Sequence, residues 1–162
     1  MNVKPGNNYN SSGNDRIVFV KWIPEYEVGI KLIDAQHREL VSLANDLYRA
    51  CVATDNSIGA VFKEAMSKMV EYVRFHFQAE NVLLERIGYP DYQAHRKEHE
   101  TLIKKILEAA KEYDKGNKLV PNHFVRTLKD WVFSHIAVTD QRFAIYVSEL
   151  KKKGLITDQQ LQ

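Results

Sequence analysis

Imidazoles and carboxylates recur along this chain at helical intervals: His37 alone, His76 with Glu80, His95 with His99, and His135 with Asp140. Successive residues of a helix turn by about 100°, so two residues four apart differ by about 40° and share a face. The segments "HFQAE" and "HRKEH" therefore each aim two donors in one direction, where they can grip one ion or one cluster. In "HIAVTD" the spacing is five, which is about 140° on a regular helix. That pair calls either for side chains reaching inward from opposite edges of a stripe or for a π-bulge, a feature found mainly at functional sites.

Taken singly, these residues have ordinary readings. A lone histidine on an apolar face is more often a hydrogen-bonded core residue than a ligand, and Glu80 or Asp140 alone reads as a surface charge. Together they read differently. Five of the six histidines and both carboxylates fall on stripes that must face the interior of a bundle. Burying such groups unpaired costs several kcal/mol each, and a metal removes that cost. Imidazoles with carboxylates and no thiolate suit iron, zinc, copper or nickel. Seven donors are too many for one such ion and fit two ions bridged by carboxylates. The Glu-x-x-His motif of ferritin-like di-iron bundles does not occur in the sequence. His123, in the first turn of the last helix, reads as structural or solvated.

The elements that must position these donors are legible as amphipathic repeats. One pattern runs from about Ile30 to Val52 through Ile33, His37, Leu40, Val41, Ala44, Leu47, Tyr48 and Cys51. A second starts at Ser57, a suitable N-cap, and carries Val61, Phe62, Met66, Met69, Val73, His76, Phe77 and Leu84 to a stop at Gly88. The third opens at "YPDY" and places Tyr92, His95, His99, Leu102, Ile106, Leu107 and Tyr113 on one stripe before Gly116. The fourth runs from Pro121 towards Gly154 through Phe124, Leu128, Trp131, His135, Val138 and Phe143. Short connections between long helices predict an all-α, antiparallel, up-down-up-down four-helix bundle. "IVFVKWIPEYEVGI" contains Pro24 and Gly29 and reads as an extended N-terminal arm, with Trp22, Ile23 and Tyr26 against the body. Residues 1–16 are expected to form a flexible tail, 17–155 the bundle and 156–162 a C-terminal tail.

Composition narrows the function classes. The net charge of +2 in 162 residues gives no long-range pull on nucleic acid or an anionic membrane. No apolar run approaches the roughly 18 residues of a membrane span, and the first residues lack a hydrophobic signal core, so a cytoplasmic location is expected. Cys51, the single cysteine, excludes an internal disulfide and a cysteine-cluster metal site. Its apolar setting reads as that of a buried, inert thiol.

With the seven positions in hand, the chain resembles the hemerythrins, and most of all the bacterial members called bacteriohemerythrins. The resemblance rests on "WIPEYEVGIKLIDAQH" leading into His37, then "HFQAE", "HRKEH" and "HIAVTD", in the order H, HxxxE, HxxxH, HxxxxD, over roughly residues 20 to 150. It implies that His95, His99 and His135 bind one iron and His37 and His76 the other. Glu80, Asp140 and a solvent-derived oxo or hydroxo group would bridge the two iron ions. It also implies that dioxygen binds end-on at the iron with fewer protein ligands, in the diferrous state.

The expected function is reversible dioxygen binding for storage, delivery or sensing, and not catalysis. The alternative is a di-iron enzyme acting on peroxide, nitric oxide or nitrite. Sensing or delivery would involve a separate, unidentified protein partner. Reversibility needs an apolar wall against water and protons, for which Phe77, Ile136 and Val138 are candidates by adjacency to ligands. Ligand histidines normally donate their second ring N–H to an acceptor, and Asp34, Gln36 and Glu98 are the nearby candidates.

Overall fold

Glycine ends the helices where the sequence predicts. At Gly88 the backbone takes φ +66°. The Gly88 N–H donates to the Glu85 carbonyl at 3.1 Å and the Tyr89 N–H to the Leu84 carbonyl at 2.9 Å. This left-handed closure satisfies carbonyls that a helix end leaves free, and only a residue without Cβ adopts it at no cost. Gly116 repeats it with bonds from Gly116 to Tyr113 and Asn117 to Glu112.

The structure, a computed structural model, describes residues 18–52 and 58–161. The expected tail at 1–16 and the expected cap at Ser57 lie outside the described residues. The helices are α1 (Lys31–Val52), α2 (Ile58–Arg86), α3 (Tyr92–Asp114), α4 (Val120–Ser134) and α5 (Asp140–Lys152). Between α4 and α5 the chain does not leave the helical path: a π-helical turn, His135–Thr139, joins them into one rod. The four rods form a square, with α1 against α2 and α4, and α3 against the same two. No strand occurs among the described residues. The architecture is the all-α bundle that the periodicity predicts.

Each rod reads the same way along its inner face: apolar, polar, apolar. Ile33, His37 and Leu40 follow one another on α1, and Val73, His76, Glu80 and Leu84 on α2. On the fourth rod the order is Val132, His135, Asp140, Phe143. The core is therefore split. A large cluster around Leu40, Phe62, Met69, Leu102, Leu128 and Ile136 lies on one side of the polar layer. A smaller one around Ile30, Ile33, Leu84, Phe143 and Leu161 lies on the other.

On α2 and α3 two expected stripe positions are solvent-exposed, Val61 and Leu107. Each directly follows or precedes a fully buried neighbour, Phe62 or Ile106, and is turned about 100° from it, beyond the edge of the face that the bundle covers. The C-terminal residues also differ from a plain tail. Asp158–Leu161 form a 3-10 turn, and Leu161 is buried in the smaller cluster, held by Arg86 donating to the Gln160 carbonyl and by Lys151 paired with Asp158 at 2.6 Å.

The N-terminal arm is extended up to a short 3-10 turn at Pro24–Tyr26, with Trp22, Ile23 and Tyr26 packed on the large cluster. Asn45 fixes it. Its Oδ1 accepts from the Phe19 and Val20 amides at 2.8 and 2.9 Å, and its Nδ2 donates to the Val20 carbonyl at 2.9 Å. Replacing Asn45 by Ala removes all three bonds and leaves partly buried backbone groups unmatched. The expected cost is about 2 kcal/mol of unfolding free energy in urea titration, with faster amide exchange at Phe19 and Val20.

Candidate metal centre

All seven donors singled out in the sequence meet in one layer, each 2% exposed or less. The five histidines turn the same ring atom, Nε2, towards the two carboxylates. Glu80 divides its oxygens: Oε1 lies 3.3 Å from His37 and 3.6 Å from His76, while Oε2 lies 3.3 Å from His95 and 3.1 Å from His99. Asp140 divides its own in the same sense. Its Oδ2 lies 3.2 Å from His37, and its Oδ1 lies 3.6 Å from His95 and 3.2 Å from His135. The layer thus has two compartments, one with two imidazoles and one with three, and each compartment receives one oxygen from each carboxylate.

The π-turn makes the five-residue spacing workable. The Asp140 N–H donates to the His135 carbonyl, five residues back, so one turn closes between them. Each residue advances by less than 100° through that turn, and His135 and Asp140 come to one face. The same slower advance explains a correction. Val138, expected on the inner stripe and as part of an apolar wall, is about half exposed and lines an outward-facing pocket with Glu98 and Arg142. Phe77 and Ile136, the other two wall candidates, are buried.

Hydrogen bonds and ring stacking set the imidazoles. His76 Nδ1 lies 3.0 Å from Gln36 Oε1, and His135 Nδ1 lies 2.9 Å from Glu98 Oε2. Both acceptors fix the proton on Nδ1 and leave the Nε2 lone pair facing inward. In sequence these acceptors adjoin His37 and His99, yet each serves a histidine on another helix. Asp34 does a different job: its Oδ1 accepts the Val28 N–H at 2.7 Å and fastens the arm to α1. Phe77 stacks on His99 with ring centres 3.7 Å apart, and Trp131 stacks on His135 at 4.3 Å. The Trp131 contact had a sequence signal, since it precedes His135 by four. The Phe77–His99 contact joins two helices and had none.

Burial alone would push Glu80 towards its neutral form, but His76, His37, His95 and His99 around it hold its carboxyl well below the usual range. Burial likewise opposes charge on His37, and the close carboxylates of Asp140 and Glu80 overcome it, raising the ring to about 10. His76 goes the other way, to about 4, because burial outweighs the pull of Glu80. Even so, His76 Nε2 and both Asp140 oxygens have no hydrogen-bond partner among the described residues. Cations supply what these atoms lack. Glu80, His95, His99 and His135 offer ligand atoms within 4.8 Å of one another, as do His37, His76 and Glu80. An imidazole and carboxylate set of this kind fits two transition-metal ions.

Residues 28–145 match the hemerythrin HHE cation binding domain. The chain belongs to the hemerythrin family. It is 32% identical over 123 residues to a bacteriohemerythrin of Stenotrophomonas maltophilia, covering 76% of this chain and 78% of that one. A bacteriohemerythrin of Clostridium acetobutylicum is 30% identical over 125 residues, covering 75% of this chain and 96% of the relative. A solved wild-type hemerythrin superposes with a TM-score of 0.71 at 23% identity, over 78% of this chain and 95% of that one, which supports the shared fold. The matched family is described by the cation it binds, in line with the metal-ligating set that the sequence led us to expect. No described helix of this hemerythrin is long and apolar enough to cross a membrane.

The two opposed histidines give chelator-treated protein a stability maximum. Below about pH 6.5 the unfolded chain takes a proton at His76 that the folded chain refuses until about 4, so stability falls as pH falls. Above about pH 6.5 the folded chain keeps the His37 proton that the unfolded chain has lost, so stability falls as pH rises through about 10. Chemical denaturation across pH 4 to 10 should peak near 6.5, and His37→Asn should flatten the alkaline limb.

Proposed function

We propose that this hemerythrin binds dioxygen reversibly at a non-haem, carboxylate-bridged di-iron centre, in oxygen storage, delivery or sensing. The observation that carries the reading is the division of five imidazoles, three against two, across two carboxylates that each face both compartments. His95, His99 and His135 would hold one iron, and His37 and His76 the other. Glu80 and Asp140 would bridge them, alongside an oxo or hydroxo group. When bound, the iron pair supplies two electrons to dioxygen and recovers them on release.

The chain's own contribution is restraint. A compartment with fewer protein donors leaves room for an exogenous ligand. Phe77 and Ile136 are buried apolar neighbours of the ligands, and Gln36 holds the His76 ring with its lone pair towards the centre. Dry surroundings favour release of an intact ligand over loss of its charge to water or protons. The alternative reading, turnover of peroxide, nitric oxide or nitrite, needs a polar route for protons. Glu98, the part-exposed acid that touches the set, reaches His135 on the three-histidine side. That placement supports carriage.

A cytoplasmic setting belongs to the same proposal. Burial pushes the Cys51 thiol up to about 12, so it stays protonated and unreactive, as suits a reducing compartment.

The test is optical. Iron-loaded protein reduced with dithionite should develop a visible charge-transfer band on aeration, and the band should bleach under vacuum. Immediate, irreversible conversion to the oxidised form would instead assign the site to an oxidase, peroxidase or nitric-oxide role. His76→Ala should abolish the reversible band while the three-histidine compartment still retains iron. Gln36→Leu, which removes the acceptor but no ligand, should weaken metal binding by about 10 to 100-fold in competition titrations.

A further inference from the structure

Helix α2 has a second face that neither the core nor the metal layer uses. Glu71, Phe75, Gln78, Val82 and Arg86 recur at intervals of four, three, four and four, so all lie within about 60° of the Phe75 direction. His76 and Glu80 point about 100° or more away. Phe75 is 58% exposed and Val82 56%, and Leu32 of α1, 46% exposed, adjoins them. Beside the stripe runs a groove of about 370 Å³, lined by Leu32, Ala79, Val82, Leu83 and Leu161 among others. Exposed apolar side chains grouped in this way mark a contact surface.

The charges on this face choose the partner. Glu71 stands at one end of the stripe and Arg86 at the other, and Arg74 and Glu85 follow the edge away from α1 in the reverse order of charge. None of the four is in an ion pair among the described residues, although Arg86 donates to the Gln160 carbonyl. If a second copy of α2 lies antiparallel across the stripe, with the two-fold axis between Gln78 and Ala79, Phe75 of each copy meets Val82 of the other. Glu71 then faces Arg86, twice, and Arg74 comes within two residues, about 3 Å of helix rise, of the height of Glu85 on the same edge. A parallel arrangement sets Glu71 opposite Glu71 and Arg86 opposite Arg86, and carries the two Arg74 and Glu85 edges to opposite sides of the contact. We propose that this face is a homodimer interface, with a second copy of this chain docked antiparallel through α2. A two-fold contact must be self-complementary, and this stripe is so in one orientation only.

Sedimentation velocity on the full chain, from about 1 µM to about 500 µM, reads the outcome. The wild type should pass from monomer to dimer, and Phe75→Glu should hold it monomeric with an unchanged far-ultraviolet circular dichroism spectrum. Glu71→Arg should weaken association at least about tenfold, and the double variant Glu71→Arg, Arg86→Glu should restore it to within about threefold. Arg74→Glu with Glu85→Arg supplies a second swap that leaves the C-terminal turn untouched. A wild type that stays monomeric throughout overturns the proposal, whether the stripe is bare or covered by another segment of its own chain. So does a dimer in which neither double swap restores what its single charge reversal removes.

Discussion

Two carboxylates in the middle of a helical bundle must find enough positive charge or hydrogen-bond donors to remain ionised, and the rest of this molecule is arranged around that requirement. Glu80 and Asp140 meet it by dividing their oxygens, each turning one towards His37 and the other towards the three-histidine side. Neither could do so from a single helix. Three other rods must arrive at the same height with imidazoles directed inward, which is why each inner face breaks its apolar run at one level. The split core is the structural cost of the polar layer. It also makes the layer rigid, because close-packed clusters on both sides leave the ligands little room to withdraw.

The groups around the ligands decide how that layer behaves. A ring stacked on Phe77 or Trp131 cannot tilt freely, and a ring whose Nδ1–H is held by Gln36 or Glu98 keeps its lone pair in one direction. These contacts are unequal in reach. Gln36 is buried, whereas Glu98 touches solvent, so the three-histidine compartment has a polar connection to the surface through His135. The acceptor on the two-histidine side, Gln36, is the buried one.

Helix α2 joins these themes. Its inner face gives His76 and Glu80 to the centre, while its outer face presents an apolar stripe flanked by opposed charges. A helix can keep both patterns because 3.6 residues per turn lets two stripes run side by side without sharing a residue. Changes on one face therefore need not disturb the other.

The sequence by itself determined the fold class and the donor set. Periodicity of 3.6, glycine stops and donor pairs at four-residue spacing are local signals, written over short stretches and readable without knowing what lies opposite. The "HIAVTD" spacing narrowed the local geometry to two possibilities, ligands reaching in from opposite edges or a π-turn, and the fold takes the second. Tertiary structure decided the rest. Gln36 serves His76 and Glu98 serves His135, partners 40 and 37 residues distant, and Phe77 caps His99 from another helix. Leu161 returns to the core beside Ile33 and Leu83, and Val138 turns outward because the π-turn slows the helix beneath it. Adjacency along the chain cannot settle such contacts, since which rods meet, and at what height, depends on the packing of all four together.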